Sequence, residues 1–423
     1  MSPLRKDAGF FVREELWGDV LVRIGIVGPV SPAALAQHIF PEDRARALKD
    51  DDSHGPSVGS LTRELLDRGH EVVVITHRRG HDAITLRGPK LKFFQVSSRS
   101  SPRRQILDSF RSERKQMGEI LAATSVDVVH AHWTYEFALT AVQSSLPLVV
   151  TIHDAPITVL AQNRGAYWVL RLLIAIRVRT KLRGARLTAV SPYIGKRWVS
   201  EMIWNKGFSV VPNCIDLPGP LNSYLHKEEP TFIEIADDSR RKNVRRLLIA
   251  FQIVRRTLPN AKLVLIGGGL GLGDPIQRWA SRRGHAANVT FLGRRSRPEV
   301  REALSSSTCH VHVSKEESFG LSLIEAMSVG VPVIAGKNSG APPWVLDGGK
   351  TGQLVAVQRV EELVEAMLST VSSASEVGAK AILAGKRYDE QFSPDVVAKK
   401  YLEVYRTAIA DAIPIRRRRR SVH

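Results

Sequence analysis

Residues 311–355 read VHVSKEESFGLSLIEAMSVGVPVIAGKNSGAPPWVLDGGKTGQLV, and the rest of the chain falls into place around them. The run CHVHV at 309–313 predicts a buried strand, and a loop with two adjacent acids follows it. A helix over 320–329 and a second buried strand, VPVIAG, come next. Glu317 and Glu325 are eight residues apart, so the first lies in the loop before the helix and the second projects from the helix. One cleft can hold both.

The turn Ser318-Phe319-Gly320-Leu321 offers unpaired backbone N–H groups at a helix N-terminus, and Gly320 removes the side chain where an anion would approach. Carboxylates there cannot bind phosphate, but they accept hydrogen bonds from hydroxyls, each worth about 1.5–3 kcal/mol. A nucleotide sugar suits this set, with one acid for the sugar and one for the ribose. The bland alternative has Glu317 capping the helix and Glu325 in solvent. The flanking strands, the glycine and the segment PVIAGKNSGAPPWVL stand where a ligand loop belongs and favour the first reading.

The Glu-x7-Glu spacing within ESFGLSLIEAMSVGVPVIA resembles the signature of retaining glycosyltransferases of the family 4 type, which have the GT-B architecture of two Rossmann-like domains. The resemblance covers residues 20–410. It implies an α/β protein whose two doubly wound parallel sheets face each other across a cleft. It further implies Glu317 and His153 as catalytic residues, the latter matching the cleft histidine in TIHD and donating to the sugar or the leaving phosphate, with Asp154 to orient it. Donor binding falls to Arg241, Lys242, Ser318, Phe319, Gly320, Leu321 and Glu325. In the basic loop DSRRKN, Lys242 matches the family's phosphate lysine. Ala236 or Asp237 stands in place of its arginine, so either Arg240 or Arg241 substitutes from the loop or the affinity for phosphate is lower. Gly55 and Gly268 are candidates for phosphate loops, Gly55 sharing that place with Gly59 and each equally a plain loop glycine.

Size and composition agree with this. A chain of 423 residues exceeds one core, which makes two domains the expectation. The divisions expected are an N-terminal extension at 1–19, an acceptor-side Rossmann-like domain at 20–218 and a nucleotide-sugar domain at 229–390. A terminal helix at 391–412 should pack back on the first domain, and a basic tail without regular structure ends the chain at 413–423. The strand VLVRIGIVG opens the first domain, and the charged insertion PEDRARALKDDDSHG precedes its first long helix. DVVHAHW places His130 and His132 on one strand face. With no third ligand near, zinc is not expected there, and His132 with Trp133 either lines the cleft or packs in the core. The stretch 164–184 reads as an interior-facing helix with solvated arginines, a membrane-surface helix being the alternative.

The 61 Lys+Arg against 42 Asp+Glu give a net charge of +19, which favours anionic partners. Two cysteines are too few for a disulfide framework, and the first residues lack the apolar core of a signal peptide, so a reduced cytoplasmic setting is expected, peripheral at the inner face of the membrane. The expected reaction is retaining transfer of a hexose from a nucleotide diphosphate sugar to a hydroxyl of a carbohydrate or lipid-linked acceptor, in surface polysaccharide or lipid-linked glycan synthesis. No metal and no cofactor beyond the donor are expected. A GT-B epimerase or phosphorylase is the alternative. A nucleic-acid-binding protein would explain the charge, but the sequence holds no recognition motif or aromatic-rich basic face.

Overall fold

Strands buried on both faces need unbroken apolar runs, and those runs set both sheets. The computed structural model describes residues 20–49, 54–163, 165–215 and 229–420, with 413–420 described by backbone alone. The extension at 1–19, part of the charged insertion and the side chains of the tail lie outside the described residues.

The first sheet contains β1 (Arg23–Val27), β2 (Glu71–His77), β3 (Ile84–Arg87), β4 (Leu91–Val96), β5 (Val128–His132), β6 (Leu148–Ile152), β7 (Arg186–Ala189) and β8 (Ser209–Val210). Their order is β3-β4-β2-β1-β5-β6-β7-β8, with β3 antiparallel to β4 at the edge and the other pairs parallel. The second contains β9 (Thr231–Ile235), β10 (Lys262–Ile266), β11 (Val289–Gly293), β12 (Cys309–His312), β13 (Val333–Gly336) and β14 (Gln353–Val355). It is parallel throughout, in the order β11-β10-β9-β12-β13-β14. The alternation of strand and helix in the sequence is thus realised as two doubly wound lobes.

Strand order reverses between β1 and β5 in the first lobe and between β9 and β12 in the second. Ligand crevices open beyond the carboxyl ends of strands at such points. Ser191, just past β7, donates from Oγ to the Ser318 carbonyl beyond β12 at 2.6 Å, so the carboxyl ends of the two sheets meet. One apolar cluster runs through this junction, from Ile152 and Ile194 to Phe319, Leu323 and Phe392.

The terminal helix, Pro394–Arg420, lies on the first lobe and inserts Tyr401 and Tyr405 into its core. Tyr405 bonds His130 Nδ1 at 2.8 Å and Tyr401 bonds Thr151 at 3.0 Å. This helix continues through Arg420, where the arginine run suggests a tail without regular structure. Arginine is a good helix former, and adding residues to an already packed helix needs no new nucleus. Cys214 and Cys309 are both buried thiols. Among the described residues, no helix is long and apolar enough to cross a membrane.

Candidate active site between the lobes

The loop after β12 is built around Glu317. Its amide donates to the Ser339 carbonyl at 2.8 Å, and its own carbonyl accepts from Ala341 at 3.0 Å, which fixes the acid against the segment after β13. Gly340 permits this approach: it has φ +88°, and an added Cβ would stand 2.6 Å from the Glu317 carbonyl oxygen. Glu317 as a whole is 7% exposed. Its Oε1 meets the Lys242 ammonium, Arg241 Nη1 at 3.0 Å and His312 Nε2 at 3.6 Å. Burial alone would raise this acid's pKa, but Lys242, His312 and Arg241 together bring it down to about 2. Arg241 also donates to the Glu316 carbonyl at 2.9 Å, and its own carbonyl accepts from Lys315. The two basic residues that precede the helix Val244–Thr257 and the acid after β12 therefore form one cluster at the β9/β12 reversal.

Next in the chain, Gly320 at φ +91° caps the helix Leu321–Ser328, while Phe319 turns inward and packs edge-on against Trp344 and Phe392. Ser318 faces the first lobe through its bond from Ser191. Glu325 is half-buried on that helix, and burial raises its pKa against the pull of Arg297. Gly268 sits in the loop after β10, where its carbonyl accepts from Asp238 at 3.0 Å and an added Cβ would stand 3.1 Å from the Arg294 guanidinium. Its neighbour Gly267 has φ +134° and leaves no space for a Cβ, which would fall 1.8 Å from the Ala236 carbonyl oxygen.

On the first lobe, Gly55 at φ +68° caps the helix Pro56–Asp67 and lets the loop after β1 pass close by, since a Cβ would stand 1.9 Å from the Pro29 carbonyl oxygen. His153 follows β6 and stacks on Trp133 with centroids 4.0 Å apart. Its Nε2 is 3.0 Å from His132 Nδ1, and burial pushes its pKa down to about 3, so the ring is neutral. His130 belongs to the core, held by Tyr405 and Thr151.

Two local expectations need correction. Asp154 does not orient His153: its Oδ1 accepts from the Tyr135 hydroxyl at 2.9 Å, and Arg171 is its charged neighbour. Nor is Arg171 solvated. It lies over the Tyr135 ring, 3.9 Å from the centroid, and pairs with buried Glu136 at 3.4 Å. The partners that draw it inward come from the turn after β5 and the start of the helix Glu136–Ala141, which the local helical pattern does not contain.

Glu234, His310 and His312 form a further buried group beneath Glu317. They escape a motif search, yet each left a trace: an acid within the apolar strand TFIEI, and alternating histidines within CHVHV.

Two doubly wound lobes, joined at the carboxyl ends of their strands, make the GT-B architecture. The comparisons with known proteins agree. Residues 55–218 match the family model described as Glycosyltransferase Family 4, and residues 222–386 match Glycosyl transferases group 1. The chain belongs to the family 4-type GT-B glycosyltransferases.

N-acetyl-alpha-D-glucosaminyl L-malate synthase of Bacillus anthracis is 26% identical over 379 residues, covering 84% of this chain and 96% of that protein. D-inositol 3-phosphate glycosyltransferase of Mycolicibacterium paratuberculosis is 34% identical over 164 residues, 38% of this chain and 37% of that protein. Among solved structures, sucrose-phosphate synthase from Thermosynechococcus elongatus superposes with a TM-score of 0.70 at 18% identity, covering 92% of this chain and 99% of that one. Anabaena HepE in complex with UDP and glucose gives 0.62 at 16% identity, covering 91% and 99%. The protein is thus a glycosyltransferase that takes its sugar from a nucleotide sugar.

Proposed function

We propose that the protein transfers a hexose from a nucleotide diphosphate sugar to an acceptor hydroxyl with the anomeric configuration retained. The observation behind this is the imbalance at the second lobe: Lys242 and Arg241 bring two positive charges to the one carboxylate of Glu317, leaving a net cation for the diphosphate. Preorganised charge of this kind meets the charge that develops on a leaving diphosphate, so no metal is needed at that point. The sugar C1–O bond breaks towards these cations, the acceptor oxygen joins C1 on the same face, and the departing phosphate takes the acceptor's proton. Glu317 and the 318–321 backbone hold the sugar, Glu325 the ribose, and neutral His153 a sugar hydroxyl across the crevice.

The acceptor side is the first lobe. The full-length similarity to a protein named for a malate product favours a small anionic hydroxy compound as acceptor. Lipid-linked or surface polysaccharide assembly at the inner face of the membrane is the second reading. It is favoured by the helix Ala166–Lys181, which exposes Val169, Leu173 and Ile176 beside Arg177 and Lys181.

The test is a panel of UDP-, GDP- and ADP-hexoses offered with hydroxy acids and with lipid-linked acceptors, the product read by mass and by the anomeric proton coupling. One donor giving a product of unchanged configuration supports the proposal. A product of inverted configuration, or none from any donor, refutes it.

A further inference from the structure

Behind Glu317 the second sheet contains an oddity. The β9–β12 ladder pairs Cys309 with Phe232 and His310 with Ile233, and Glu234 is the next residue on β9. Its side chain is fully buried, and neither carboxylate oxygen has a hydrogen-bond partner. Two imidazoles, both fully buried, stand beside it: His310 Nδ1 is 3.9 Å from one oxygen and His312 Nδ1 is 3.9 Å from the other. Ligand atoms of the three residues lie within 4.8 Å of one another. Among the described residues this is the one group of three or more such side chains so placed.

For this acid the cost of burial outweighs the pull of the Lys242 charge and the Val313 backbone, and an apolar residue would fill the same place at lower cost. A bound cation removes that penalty. We propose that Glu234, His310 and His312 hold a divalent transition-metal ion of the zinc class. One carboxylate and two imidazoles are a donor set suited to zinc, and donor atoms that lie within 4.8 Å of one another must draw in to about 3.3 Å for bonds of about 2.0–2.1 Å.

One outer partner is already bonded and a second stands close by. With Nδ1 of each ring on the metal, Nε2 carries the proton. His310 Nε2 is 3.1 Å from Ser322 Oγ, and His312 Nε2 faces Glu317 Oε1 at 3.6 Å. A ligating histidine characteristically donates its other N–H to a hydroxyl, carbonyl or carboxylate, which fixes the ring and its tautomer. For this arrangement His310 gives up its Nδ1 contact with the Ile233 carbonyl at 3.1 Å, and His312 its Nδ1 contact with Ser322 Oγ at 3.4 Å. Because the three ligands have no exposed surface, the ion is structural. It ties β9 to β12 directly behind the loop that carries Glu317. This site does not depend on which sugar is transferred.

The experiment uses the full chain, purified from zinc-supplemented cells without chelator and dialysed before metal analysis, and then reconstituted with cobalt(II) after chelation. The proposal expects about one zinc per chain and the intense visible bands of tetrahedral cobalt. Chelation should lower the unfolding temperature of the wild type. Glu234→Leu should retain less than a tenth of the metal and lose the response to chelation. Wild-type protein with neither zinc nor cobalt bands overturns the proposal and leaves Glu234 as a protonated acid. Metal retained in full by Glu234→Leu overturns it too, by placing the ion elsewhere. The cobalt spectrum of the wild type needs no variant, so it decides the matter even where the substitution fails to fold.

Discussion

Replacing Lys242 with methionine removes one of the two cations on Glu317 while keeping the apolar stem. Glu317 titrates near 2 instead of 4.5, and at 1.36 kcal/mol per unit this depression corresponds to about 3 kcal/mol of folding stability. Because the folded pKa lies below the unfolded one, the contribution is fully present above pH about 4.5 and is lost as pH falls through about 2. Arg241 remains 3.0 Å away in the variant, so only part is forfeited, about 1.5–3 kcal/mol for a charged hydrogen bond. Lys242→Met should therefore unfold at lower denaturant near neutral pH, and the difference from wild type should shrink with acidification. Sugar transfer should fall by about 10²–10³ in kcat, the usual cost of losing one donor to developing charge. The assay is urea unfolding at a series of pH values for the wild type, Lys242→Met, Glu317→Gln and the double variant, with turnover measured at neutral pH. Additive losses in the double variant would refute the pairing, since directly bonded groups couple by about 0.5–3 kcal/mol.

Arg171→Met leaves buried Glu136 with only His77, at 3.7 Å, as a partner, and equilibrium unfolding should show a loss of about 3 kcal/mol. Gly320→Ala forces a left-handed φ on a residue with a side chain and should cost about 1–2 kcal/mol in unfolding measurements, with a larger fall in donor affinity by calorimetry because the 318–321 amides move. His153, held near 3 by burial, stays neutral across the working range, so the turnover profile should contain no inflection near 6.5 that disappears in His153→Asn. The same shift removes stability as pH falls below 6.5 towards 3, because only the unfolded imidazole then takes a proton.

Much of the architecture is readable from local sequence because a strand buried on both faces must be apolar along its length, as IGIV, LVVTI and VIAG are. The place of the second-lobe site is readable for a related reason: the loops after β9 and β12 are both at the strand-order reversal, which brings Lys242 to Glu317. What local sequence does not hold is lateral contact. His132 meets His153 only because β5 and β6 are neighbours, and Arg171 is drawn inward by Glu136 from another element. Glu234 and the histidines of β12 look like isolated polar interruptions until the two strands are set side by side.

Titration calorimetry of UDP, GDP and ADP against wild type and Lys242→Met probes the crevice most directly. One diphosphate should bind the wild type well ahead of the others, and the variant should bind it at least tenfold more weakly. Equal affinity in wild type and variant, or no binding of any of the three, would mean that the basic pair beside Glu317 does not grip the donor.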